Sequence, residues 1–447
     1  MPFVRRKLGK TGESGQMSSG TAWTRRQLVA GSALAAGASR RALAAPAVVR
    51  GSKLTYWGGL IFSDKANRTL TDAIGKWGAD NGVETEVVMI NQNETVQKVS
   101  AAIASGTMPD ALDVSLDLLI VLARQGLFLP LDELYTAIGA AHGGWLAPVD
   151  KASNTGGRFG IPFGISGNML LRRNDVLSKA GFNTPPATWT ELVEQAAKVV
   201  KPPFFPMGFC LGNAGDGNTQ VNVLQSYGGR IADDAGKKAA IKSDATRTYL
   251  AWVKDAYDRK LFPPGVTTWD GAGDNNAYAA GTVAFIANTG SVGIAARNDD
   301  PDLYTGTLYS ALPAGPLGVV SPIAPQLRVI PKTSKNPDAA KALCEYLANP
   351  AYTEAYYANA IYGPVLQNET SLTLFNGKDP ILAGLLDLVR KGTAPGAPDV
   401  YNAAFADVMN TFLIPKMIQR VVVDRWDADR AMDEAQGQIQ ATYNKYG

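Results

Sequence analysis

Histidine and cysteine are nearly missing from this 447-residue sequence, which holds one histidine, His142, and two cysteines, Cys210 and Cys344. A Ser-His-Asp or Cys-His arrangement would have to be built on His142, which sits beside Gly143 and Gly144. A zinc site of the usual His and Cys type has too few ligands. No C-x-x-C, haem-attachment or iron–sulfur run occurs. Cysteines this far apart predict a disulfide weakly, and Cys344 shares a helical face with Ala340, Leu343 and Leu347, which suits a buried thiol. No G-x-G-x-x-G follows a strand. Gly9-Lys10-Thr11 looks like the end of a phosphate loop, but Val4 stands where its first glycine is required. No segment after residue 44 has the ~20 apolar residues that a membrane span needs. These absences leave no metal and no cofactor to expect.

What is present begins with a leader. Thr24-Arg25-Arg26-Gln27-Leu28-Val29 is a charged head, Leu28 to Ala38 a short apolar middle, and Ala42-Leu43-Ala44 an A-x-A cleavage pattern. The paired arginines fit the twin-arginine type. Residues 1–44 therefore read as a signal peptide, cleaved near Ala44 and addressed to the periplasm; Met17 is an alternative start. They carry +7, and subtracting that from the whole-chain +3 leaves the mature part at −4. A basic footprint for nucleic acid is absent. The remaining residues, about 400, suggest two domains or lobes, each able to bury its own core.

Along the mature part, strand and helix patterns alternate. Lys53 to Trp57 reads as a strand ending in a loop at Gly58-Gly59, 64–80 as a helix, and Glu84 to Ile90 as a second strand. Val96, Val99 and Ile103 recur at helical spacing; Ala111 to Ser115 reads as a third strand, followed by a helix over Leu118 to Gln125. A strand is expected over Asn168 to Arg172. Thr188 and Glu191 form a capping-box pattern for the next helix. Ser243 to Arg259 reads as a helix, Thr282 to Asn288 as a strand, Pro337 as a helix start, and the chain beyond Ile381 as mostly helical. Such alternation implies an α/β fold with mainly parallel sheets, whose ligands bind beyond the strand C-termini.

Several strings, taken in order, resemble the bacterial extracellular solute-binding proteins of sugar ABC transporters, the family that includes the maltose-binding type. They are Trp57-Gly58-Gly59, Ser105-Gly106-Thr107-Met108-Pro109-Asp110, Gln125 to Asp132, Gly160-Ile161-Pro162-Phe163-Gly164, Pro185 to Trp189, Thr282 to Gly290 and Ser334 to Lys341. The resemblance covers nearly the whole mature chain. It implies a two-lobed periplasmic binding protein fold, of type II, that closes on its ligand. It places lobe one at 45–163 plus 325–372 and lobe two at 164–324 plus 373–447. The implied role is capture of a carbohydrate by a monomer and delivery to the permease subunits of an ABC transporter, without catalysis. The alternatives are a polyamine, polyol or sugar-phosphate ligand, or a secreted glycosidase using paired carboxylates such as Asp113 and Asp216.

A sugar pocket needs flat aromatic surfaces together with carboxylates and amides. Trp57 stands at a strand end before two glycines, and can equally be a core residue. Asp113 follows the third strand, near the family's ligand loop. Ser166 comes just after the first crossing between lobes. Asp216 and Asn218 lie in a polar loop that the resemblance turns toward the cleft. Trp269, Asp274 and Asn275 concentrate an aromatic, a carboxylate and an amide. Ser291 follows Gly290 at a strand end, where Val292 departs from the maltose-type pattern. Tyr362 and Tyr401 are stacking candidates. Trp189 and Trp252 read as packing residues on helices.

Overall fold

The computed structural model describes residues 48–446 except Phe62, Gln92, Asn93 and Gly271. The signal peptide expected over 1–44, with its arginine pair and cleavage site, lies outside the described residues. In chain order the strands are β1 (Lys53–Leu60), β2 (Glu84–Asn91), β3 (Ala111–Ser115), β4 (Ile161–Ser166), β5 (Met169–Arg173), β6 (Phe285–Asn288), β7 (Thr307–Ser310), β8 (Ala314–Gly315), β9 (Gly318–Val319) and β10 (Ala324–Val329). The first sheet has the order β2-β1-β3-β10-β4 and the second β6-β5-β7, with β8 and β9 forming a small hairpin. In the first sheet β2, β1 and β3 pair in parallel, and β10 runs against both β3 and β4. In the second, β5 opposes its two neighbours, so β6 and β7 point the same way. The segment at Met207 joins Phe285 of β6 in a parallel bridge. Helices flank both sheets, giving the expected α/β class.

Local chemistry explains the element limits. Ser63 caps the helix Asp64–Asn81 by accepting from the N–H of Ala66, and Gly82 ends it at φ 68°, a conformation that suits glycine. Thr188 accepts from the Glu191 N–H at 3.1 Å, while the Glu191 carboxylate takes the N–H of Ala187 at 2.7 Å, one residue before the expected partner. β1 runs on through Gly58-Gly59, where the sequence pattern suggested a loop. A Cβ on Gly58 would lie 2.7 Å from the Met89 sulfur, so the missing side chain lets β2 pack against an unbroken strand.

Two apolar clusters form the interior. One gathers Leu54, Leu112 and Leu327 of the first sheet and reaches Leu171, Ile286 and Tyr309 of the second. The other gathers Leu170, Trp189, Phe209, Phe285 and Ile418. Leu170 and Leu171 of β5 thus serve different clusters, as the two-residue period of a strand requires. Trp189 is buried, edge-on to Phe209 and Trp252. Both cysteines are buried and free.

Glu369 is a buried carboxylate in the first cluster's surroundings, 3 % exposed, accepting from the N–H groups of Val365 at 2.7 Å and Leu366 at 3.0 Å. Burial pushes its carboxyl up to about 7. An unfolded glutamate titrates near ~4.3, so between those values the folded chain holds a proton that the unfolded chain releases. Its contribution to stability therefore falls as pH rises toward 7 and recovers as pH falls toward the unfolded value. Urea unfolding between about pH 8 and about pH 5.5 should show stability rising on acidification by on the order of 2 kcal/mol. In Glu369→Gln that part of the slope should vanish; an unchanged slope would assign it to other groups.

Candidate functional site

The ends of β3 and β4, the turn after β6 and the start of β10 converge between the two sheets on a cavity of about 440 Å³. A smaller cavity of about 190 Å³ adjoins it, sharing Ser166, Thr289 and Gln326. The first-sheet side supplies Ser115 and Asp117. The crossing from β4 to β5 supplies Ser166 and Asn168, and the opposite side supplies Asn218, Thr219, Asn222, Tyr401 and Phe405. Hydroxyls and amides punctuate an otherwise mostly apolar wall of proline, glycine and aliphatic residues, with Asp117 as its one charged side chain among the described residues.

The polar groups are held in place. Asn168 Nδ2 donates to Thr219 Oγ1 at 3.1 Å. Asn218 Nδ2 donates to the Met409 carbonyl at 3.1 Å, while its Oδ1 has no protein partner. A buried acceptor left unmatched in this way is costly unless a ligand hydroxyl or water fills it. Tyr401 Oη donates to Asp117 Oδ1 at 2.7 Å, joining helix Leu116–Arg124 to the segment before helix Ala403–Asn410. Burial, and then Asp117, hold the Tyr401 hydroxyl well above its ordinary range, so it stays a donor.

Of the residues singled out from the sequence, Ser166 and Tyr362 line the smaller cavity, and Ser166, Asn218 and Tyr401 the larger. Tyr362 is buried, stacked on Tyr356 at 6.1 Å and edge-on to Phe163 at 5.9 Å. Asp216 is half-buried in the turn Gly215–Asn218, its carboxyl pushed up by burial and by Asp270. Asp274 is 2 % exposed, pushed up to about 6 by burial and then by Asp216. Its Oδ1 accepts from the Asn275 N–H at 2.8 Å. Asn288 Nδ2 donates to Asn275 Oδ1 at 2.6 Å, and Asn288 Oδ1 accepts from Gly290 N–H and Ser291 Oγ, both at 3.0 Å. Asp274, Asn275 and Ser291 therefore brace the turn that presents Thr289 to the cleft. Asn275 and Ser291 line a separate cavity of about 410 Å³.

The remaining candidates lie away from the cleft lining. Trp57 is half-buried in the middle of β1, paired with Val88 and Leu112, because the strand continues past it. Trp269 packs over Gly273, where a Cβ would lie 2.4 Å from the indole. Asp113 belongs to a buried network: it accepts from Tyr56 Oη at 2.5 Å and Gly59 N–H at 3.1 Å, and lies 3.8 Å from Arg328 Nε. Burial pushes the Asp113 carboxyl up against the opposing pull of Arg328. Arg328 also stacks on Phe163 at 4.2 Å, so the group ties β1, β3, β4 and β10 together. His142 ends a helix with its Nδ1 3.1 Å from Asn368 Nδ2.

The sequence profile of the bacterial extracellular solute-binding proteins matches residues 63–354. This chain belongs to that family. A Brucella abortus (strain 2308) relative, whose name records binding and no ligand, is 24% identical over 372 residues, covering 81% of this chain and 87% of its own. Among solved structures, the sugar-binding protein MalE of Xanthomonas citri superposes with a TM-score of 0.75 at 20% identity, covering 88% of this chain and 98% of that one. Maltose-bound MalE3 of T. maritima superposes at 0.68 with 21% identity, covering 87% and 99%. These likenesses give this solute-binding protein its two-lobed fold. Among the described residues no helix is long and apolar enough to cross a membrane.

The sequence reading missed Thr289, Asn222 and Gln326. Thr289 could have been found as the residue between the strand end and Gly290. Gln326 carries no such signal, since only the reversed course of β10 brings it to the cleft.

Proposed function

We propose that this solute-binding protein captures a carbohydrate between its lobes and delivers it to the permease of an ABC transporter, without altering it chemically. The observation that carries the reading is the cleft wall. It combines hydroxyls, amides, one carboxylate and the rings of Tyr401 and Phe405, which suits a ligand with apolar C–H faces and many hydroxyls. A polyamine would call for several carboxylates, and the wall supplies Asp117 alone among the described residues. A glycosidase pair drawn from Asp113 and Asp216 is disfavoured, since Asp113 faces Arg328 inside the first sheet. The names of the Deinococcus radiodurans relative, an ABC transporter-binding protein in name, and of the maltose-bound neighbour point the same way.

The lobes we assign are 45–166 plus 324–372 and 168–323 plus 373–447, with the first crossing moved from the expected boundary after residue 163 to Gly167. β4 pairs in the first sheet as far as Ser166, and β5 starts the second at Met169. Gly167 has φ 150°, and a Cβ there would lie 2.6 Å from the Pro322 carbonyl oxygen, so two crossing segments touch at this glycine. Export by the twin-arginine route, cleavage near Ala44 and action as a periplasmic monomer complete the proposal. Thermal unfolding with a panel of sugars, polyols and amines tests it, since a ligand bound only to the folded state raises the midpoint. A carbohydrate should give the largest rise; a rise with an amine and none with any carbohydrate would contradict the reading.

A further inference from the structure

A second chamber, of about 540 Å³, lies on the far side of Tyr401. Leu116, Pro395 and Tyr401 line both it and the cleft, so the Tyr401 side chain is the partition between them. The two spaces differ in charge. The cleft presents Asp117, already bonded by Tyr401. The outer chamber presents Arg124, from the end of helix Leu116–Arg124, and Lys151, from helix Ala147–Ser153. Its one carboxylate, Asp399, is already held by Arg230 at 3.0 Å, by Gln225 at 2.8 Å and by the N–H groups of Ile231 and Ala232. Arg124 and Lys151 make no ion pair among the described residues, and the Thr155 hydroxyl on the same wall is buried without a partner. Two cations without an ion pair face the same space, beside a cleft whose polar groups are mostly neutral.

We infer that the ligand is an acidic carbohydrate: its neutral sugar ring occupies the cleft, and a carboxylate or phosphate group reaches past Tyr401 to Arg124 and Lys151. This rests on the carbohydrate reading and narrows it. A solvent-facing cation pair adds modest affinity that salt screens, and so acts mainly as a selector among sugars of similar shape.

The test uses matched probes: uronate-bearing disaccharides with their methyl esters, and phosphorylated disaccharides with their dephosphorylated forms. Binding is measured by calorimetry on the mature protein and on an Arg124→Gln/Lys151→Gln double variant. Both residues are exposed, so the variant keeps the core contacts intact. The charged member of the better-binding pair should bind about tenfold tighter than its neutral counterpart, the scale of two exposed ion pairs. That margin should shrink with added salt and disappear in the double variant, while neutral sugars bind both proteins alike. The uronate and phosphate arms separate the two sources of the anion. Neutral sugars binding as tightly as charged ones, with the variant unchanged, would overturn this inference and leave the carbohydrate reading standing. No binding of any carbohydrate would overturn both.

Discussion

Asp399→Ala should lower the unfolding free energy by about 2–4 kcal/mol, the cost of leaving the buried donors around it without an acceptor. Asp399 is 6 % exposed, and both of its oxygens are in use. Oδ1 accepts from Arg230 Nε and the Ala232 N–H at 3.0 Å each; Oδ2 accepts from Gln225 Nε2 at 2.8 Å and the Ile231 N–H at 3.2 Å. Alanine would leave the N–H groups of Ile231 and Ala232 facing an apolar gap, while the partly exposed Arg230 keeps Asp234 as a partner. The same carboxylate fixes the course of residues 396–401, since Gln225 Nε2 also donates to the Gly396 carbonyl at 2.9 Å. The loss should therefore appear twice, as a lower urea midpoint and as weaker ligand binding through a misplaced Tyr401. Asp399→Asn keeps the shape and two acceptor sites on one oxygen, and should cost less. A loss below about 1 kcal/mol in the alanine variant would show that the clamp is not needed.

Tyr401→Ala should weaken ligand binding about thirtyfold, roughly 2 kcal/mol, the scale of a tyrosine at the centre of a contact surface. The ring packs on Phe405 at 5.5 Å, and Gly396 gives it room, since a Cβ there would lie 2.9 Å from the ring. Removing it merges the cleft with the outer chamber and leaves Asp117 without its donor. Tyr401→Phe separates the two effects: the wall stays and only the hydrogen bond is lost, so the expected loss is a few-fold. Equal losses in both variants would mean that the hydroxyl alone matters and that the partition does not.

The fold was largely legible in the sequence because its signals are local. The strand over 84–91, the helix capped by Ser63, the helix opened by Thr188 and the one started at Pro337 each rest on spacing and caps within a few residues. Gly58-Gly59 misled for a non-local reason, because the space that those glycines leave is filled by Met89 of the neighbouring strand. The site was legible only in part. Ser166, Asn218, Tyr362 and Tyr401 line the cavities, while Asp113 looks identical in sequence to a ligand carboxylate and is held by Arg328, more than two hundred positions away in the chain. Local pattern cannot tell a buried carboxylate with a distant cation from one that faces an open cleft. Asp274 and Asn275, read together with Trp269, and Ser291, read apart from them, meet around Asn288, where they brace the cleft's edge rather than line it.

The central claim is that a carbohydrate sits between the lobes against Tyr401 and Asp117. Native mass spectrometry of the mature protein purified without denaturation tests it most directly. The predicted result is a one-to-one adduct whose mass and fragments are those of a sugar, and which is depleted in Tyr401→Ala protein prepared in parallel. An adduct that fragments as an amine or a peptide, or a sugar adduct retained unchanged in Tyr401→Ala, would contradict the account.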